Sequence, residues 1–209
     1  MSKSTKVIAA LGVAAGLGIA ALPAATFAEA QYTNNVVPLK VIINDTLSLA
    51  GVTTGDFAST EGLTLAAGQN DSTSKTVWTA ISNDTDGWTV SVAPTDTGTN
   101  ILSNGVAADD ISPFTSEVTD LSANTTSGWG IKLNNLAQAV SATGSHFTTS
   151  GFTGVTTGPD QVVTSSTTSG TAGQTFETIY GIDLADDQAA GTYSGSITFT
   201  IAGNPTPQP

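Results

Sequence analysis

Cysteine is absent from the 209 residues, which excludes disulfide staples, thiol catalysis and cysteine-ligated metal. Arginine is absent as well, since all five cationic residues are lysines, set against 17 acids. The formal net charge of −12 repels phosphate backbones and anionic lipid, so nucleic acid is not an expected partner. Histidine occurs once, at His146, and charged residues make up only 11% of the chain. The polar surface must therefore come from Thr, Ser, Asn and Gly, a composition that disfavours helices and suits strands joined by turns.

The first thirty residues have a different character. Lys3 and Lys6 precede an uncharged run of Ala, Leu and Gly that Pro23 ends, followed by Ala24-Ala25-Thr26-Phe27-Ala28-Glu29-Ala30. Positive, apolar and small residues in that order predict a secretory signal peptide over 1–30, cleaved after Ala28 or Ala30. The apolar run is short for a membrane span of roughly 20 residues, so no stable span is expected in the mature chain. Cleavage leaves three lysines against sixteen acids and a chain sized for one domain, 31–203, before a Pro-rich tail, 204–209.

Alternation with period two runs through that domain. Residues 36–43 read as a strand with Val37, Leu39, Val41 and Ile43 on one face. Residues 74–82 and 88–93 read as two more, joined across Asn83-Asp84-Thr85-Asp86-Gly87 as a hairpin, with Trp88, Val90 and Val92 facing inward. Further strands are expected over 128–133 and 176–184. The cleanest alternation covers 191–202, with Tyr193, Gly195, Ile197, Phe199 and Ile201 opposite Ser194, Ser196, Thr198 and Thr200. Residues 143–173, rich in Thr, Ser and Gly, read as a long loop or irregular strands. Short strands with turn signals between them predict an all-β fold, an antiparallel β-sandwich of Greek-key or jelly-roll kind.

Two of these strands carry a likeness. Gly87-Trp88-Thr89-Val90-Ser91-Val92 resembles the first Trp-x-Leu strand of WxL-type bacterial surface domains. Thr192-Tyr193-Ser194-Gly195-Ser196-Ile197-Thr198-Phe199-Thr200-Ile201, followed by Asn204-Pro205, resembles their closing strand. Val90 stands where that family has Leu, Phe199 where it has Trp, and Ile201 where it has Leu. The resemblance implies a secreted, surface-associated β-domain in noncovalent contact with a cell-wall polymer.

Chemistry-bearing residues are sparse. His146 has Ser145 beside it but no Gly-x-Ser-x-Gly elbow elsewhere. Asp109-Asp110 and Asp186-Asp187 are adjacent acid pairs of the kind a wall-glycan hydrolase would use, but both lie in turn contexts, where Asp ordinarily caps the turn. Ser82-x-Asp84-x-Asp86-Gly87 begins like a calcium loop, which makes Asp84 and Asp86 candidate ligands for a structural calcium, but position twelve is Ala93. Trp129, flanked by Gly128 and Gly130, is the tryptophan expected to be exposed and to contact sugar. Lys40 is a candidate for an isopeptide crosslink. No catalytic residue and no cofactor is assigned. The sequence thus predicts a non-enzymatic, extracellular or cell-wall structural and interaction protein. Its partners would be wall polymer or other surface proteins. The alternatives are a carbohydrate-binding module, a wall-glycan hydrolase, or a filament subunit that self-assembles by adding residues 31–44 to a neighbour's sheet.

Overall fold

A computed structural model describes residues 46–57, 62–95, 100–123 and 125–204. The expected signal peptide, the strand over 36–43, Lys40 and the tail beyond Asn204 lie outside the described residues. Within them the fold is all-β, with no α-helix and a single 3-10 turn at Leu121–Ala123.

The described residues form nine strands in two antiparallel sheets. The first holds β1 (Leu47–Thr54), β2 (Asn70–Asp71), β3 (Lys75–Ser82), β5 (Gly128–Asn134) and β8 (Gln174–Asp183). Its centre is β8, which pairs with β5 on one edge and with β3 and then β2 along the other, while β1 completes the sheet beyond β3. The second runs β6 (Val140–Ser141), β7 (Asp160–Ser165), β4 (Trp88–Pro94) and β9 (Ile197–Gly203). One apolar cluster draws on both. It joins Ala80, Trp129, Ile131, Leu133, Phe176, Tyr180 and Ile182 from the first sheet to Trp88, Val90, Val92, Val162 and Val163 from the second. Burying rows of this size removes apolar surface at roughly 25 cal/mol per Å², the main term opposing chain entropy.

Trp88, Val90 and Val92 do face inward, all at most 1% exposed. The expected hairpin does not form, because β3 and β4 belong to different sheets. The intervening turn carries the chain across the core instead. Asp84 N–H donates to Ser82 Oγ (3.0 Å), Asp86 N–H to Asp84 Oδ1 (2.9 Å) and Gly87 N–H to the Asp84 carbonyl (3.2 Å). Gly87 has φ +87, and a Cβ there would overlap the Ser165 carbonyl of β7. Turn residues and alternation are common to hairpins and sheet-to-sheet crossings, so local sequence does not separate the two.

The region expected to be loop or irregular strands, 143–173, contains β7, and the register shows why alternation concealed it. Val90 pairs with Val163 but Ser91 pairs with Gln161, so Val162 is the extra residue of a bulge. Both Val162 and Val163 are therefore buried at 0% exposure, which breaks period two. In β9 the expected inner residues Ile197, Phe199 and Ile201 do pack on the core, but the ladder starts at Ile197 rather than at residue 191.

Threonine serves the interior as well as the surface. Thr76 (2% exposed) and Thr178 (0%) lie on the inner face. Thr76 Oγ1 is 2.9 Å from the Tyr180 hydroxyl and 2.9 Å from Thr53 Oγ1, and Trp78 Nε1 donates to Thr178 Oγ1 at 2.9 Å. These bonds satisfy polar atoms that burial would otherwise penalise.

A smaller cluster covers the outer face of the first sheet. Phe114, Val118, Leu121 and Phe152 pack there with Ile179. Phe152 lies flat over Gly181, where a Cβ would come within 2.6 Å of its ring. Beside them Glu177, 8% exposed, accepts hydrogen bonds from Lys75 Nζ (3.3 Å), Asn134 Nδ2 (2.9 Å) and Asn135 Nδ2 (2.7 Å), tying β3, β8 and β5 together. Gly181→Ala is expected to cost about 1–3 kcal/mol by overpacking against Phe152. Urea unfolding monitored by tryptophan fluorescence measures this, and adding Phe152→Leu is expected to recover part of the loss.

Candidate functional site

Trp129 is not exposed. Its glycine neighbours leave room, and the Phe114 ring takes it: Cβ atoms at Gly128 and Gly130 would stand 2.8 and 3.0 Å from that ring. Trp129 points to the other face, is 4% exposed, and donates Nε1–H to the Asn100 carbonyl at 2.9 Å. The exposed sugar platform expected at this residue is thus replaced by a wall of the interior. Trp88 is wholly buried, and Trp78 is half-buried with its ring 4.4 Å from that of Phe199 and 6.2 Å from that of Phe176.

What Trp129 borders is a cleft of about 740 Å³. Tyr180 and Ile182 of β8 and Trp129 of β5 form one side, and Ile197 of β9 with Ile101 and Leu102 forms another. Phe57, Leu63 and Leu65, from the chain after β1, complete the apolar lining. Residues 62–66 make no ladder and serve here as lining. A concave space whose lining is shared between apolar side chains and fixed polar groups has the general character of a binding site.

Those polar groups are held in place. Asn100 Nδ2 donates to the Val155 carbonyl at 2.6 Å. Gln188 Nε2 donates to the Asp109 carbonyl (2.6 Å) and to the Tyr193 hydroxyl (2.9 Å), which itself donates to the Ala189 carbonyl (2.7 Å). Gln188 thereby joins the two turns that carry the adjacent acid pairs, Asp109-Asp110 and Asp186-Asp187, a meeting the sequence did not reveal. Asp109 Oδ2 also accepts from Asn104 Nδ2 at 3.3 Å. Asp110 Oδ1 is buried without a hydrogen-bond partner among the described residues.

The remaining candidates serve local structure. His146 Nε2–H donates to the Gly154 carbonyl at 3.0 Å, and its ring meets Phe147 edge to face. Ser145 Oγ donates to the Gln161 carbonyl and accepts from Phe147 N–H. Both are engaged with backbone rather than with one another. Asp84 closes the crossing turn through Asp86 N–H, and among the described residues no three His, Asp or Glu side chains gather as a metal site.

Comparison of the chain with known protein families, with curated proteins and with solved structures found no match.

Burial holds the Tyr180 phenol above its usual pKa of about 10, against the opposing pull of its bonds to Thr178 and Thr76. The unfolded chain releases this proton first. Stability is therefore full below about pH 10 and is expected to fall as pH rises beyond the unfolded value. Denaturation midpoints taken from pH 8 to 11 test this, and Tyr180→Phe should flatten the alkaline decline.

Proposed function

We propose that this chain is an exported structural and interaction protein of the cell surface, a β-sandwich of Greek-key or jelly-roll connectivity that works by contact. The observation that carries the reading is the division of labour among its side chains. His146, Ser145, Asp84 and Glu177 are each engaged in holding turns or strands, while a cleft of mixed polar and apolar lining lies open and β9 hydrogen-bonds only to β4 among the described strands. The order of residues in 1–30 supports export, and the hydroxyl-rich exterior supports solubility outside the cell. The resemblance to WxL-type domains supports association with wall polymer. Its two motif strands, β4 and β9, are hydrogen-bonded neighbours, Val90 opposite Ile201 and Val92 opposite Phe199.

A second reading, a subunit of an extracellular filament, is favoured by one feature. Within its sheet β9 pairs only with β4 among the described strands, and its inner row of Ile197, Phe199 and Ile201 is half-buried where the neighbouring row of β4 is fully buried. An unpaired edge with an apolar row is a template for a further strand.

Fractionation of native cells tests the main reading. The protein is expected in the wall or medium with a new N-terminus at Gln31 or Glu29, and to bind purified wall in a pull-down. Recovery of the uncleaved chain in the cytosol would overturn it.

A further inference from the structure

The cleft beside Trp129 opens onto the core that the two sheets share. Trp129, Tyr180 and Ile182 of the first sheet line it and also belong to the main apolar cluster, while Leu63, Leu102 and Ile197 line it and pack against that cluster. Close-packed interiors leave few voids larger than a water molecule. An opening of about 740 Å³ onto core side chains is therefore a receptacle and not a packing gap.

The lining narrows what can enter. No charged side chain stands among the described residues that form it, although the chain carries 17 acids and five lysines. A charged group placed inside would shed its water and meet no counter-ion. The donors of the wall are also spent on the protein itself. Trp129 Nε1 and Asn100 Nδ2 donate to backbone carbonyls, Gln188 Nε2 serves the Asp109 carbonyl and the Tyr193 hydroxyl, and the Tyr180 hydroxyl stands against Thr76 Oγ1. A sugar, with a hydroxyl on nearly every carbon, would lose hydration there without equivalent bonds in return.

Polarity in the cleft is layered. Along 62–66, Leu63 and Leu65 are half-buried and Thr64 is exposed. Along 192–197, Tyr193 and Ile197 are half-buried, and Thr192, Ser194 and Ser196 are exposed. The alternation sets an apolar floor beneath a rim of hydroxyls.

We infer that the cleft binds an uncharged single-chain lipid, with its hydrocarbon body on the floor between the sheets and a hydroxyl head among Thr64, Thr192, Ser194 and Ser196. The body completes the core at this opening, where burial of methylene groups supplies the affinity. The head exchanges water for rim hydroxyls that have the same hydrogen-bonding capacity. The site is a property of the folded domain, so its test is independent of export and wall binding, which fractionation reads separately.

Calorimetric titration of the mature chain from Gln31 with decanol tests this. Saturable one-to-one binding is expected, with a negative heat-capacity change from apolar burial. Affinity should rise about fourfold per methylene from hexanol to decanol. Decanoate, a chain of the same length with a carboxylate head, is expected to bind at least about tenfold more weakly, because no cation lies among the described lining residues. Leu65→Asp places a carboxylate on the floor and should weaken decanol binding by at least about tenfold. Residues 62–66 make no ladder, so this variant should keep the circular dichroism of the parent. Ala190→Trp, at an exposed lining position, should weaken binding by filling the cleft from its rim. Absence of decanol binding, decanoate binding as tightly as decanol, or affinity indifferent to both substitutions would overturn the inference. So would tighter binding of cellobiose, which would mark a sugar site, or of a capped Val-Leu-Val peptide, which would mark a peptide site.

Discussion

Everything else in this domain depends on the contact between the inner rows of its two sheets. Trp88, Val90 and Val92 of β4 and Val162 and Val163 of β7 share one cluster with Phe176, Tyr180 and Ile182 of β8. Neither sheet could bury its row alone, and without cysteine no disulfide substitutes for that burial. The crossing from β3 to β4 sets the relation of the sheets early in the chain. Its turn is fixed by Asp84 and by Gly87, whose missing side chain lets the Ser165 carbonyl approach. The aromatic contact between Trp78 and Phe199 joins β3 to β9 across the sheets, with Gly51 leaving space for the Trp78 ring.

Polar residues are arranged to make that burial tolerable. The hydroxyls of Thr53, Thr76, Thr178 and Tyr180 form a chain across β1, β3 and β8, so the inner face of the first sheet is not purely apolar. Glu177 does similar work on the outer face, where one carboxylate gathers groups from β3 and the end of β5. The Lys75 side chain is 42% exposed, so its ion pair is partly screened by solvent and contributes less than the two amide bonds to a nearly buried carboxylate. The result is a fold in which Glu177 and Lys75 help to secure neighbouring strands.

Period-two alternation made the strands legible wherever one face was buried and the other wet. The inward set of β4 and the inner row of β9 were readable for that reason. What alternation did not carry was partnership. The segments β3 and β4 look like a hairpin locally, and only packing across the core assigns them to different sheets. The bulge at Val162 put two consecutive valines inside, so that β7 read only as loop or irregular strand. The cleft was legible only in fragments. Its acid-bearing turns meet through Gln188, some eighty residues from Asp109 in sequence, a contact no local pattern encodes. Trp129 was misread because flanking glycines signal space without saying which group fills it, and here Phe114 does.

Native-state hydrogen exchange tests the shared core most directly. If the sheets stand or fall together, the slowest amides of β4 and β7 and those of β8 should exchange with the same opening free energy, and denaturant should lower both in parallel. Amides of β4 and β7 that open at a distinctly lower free energy than β8, with a separate denaturant dependence, would show two independently stable sheets and contradict the account.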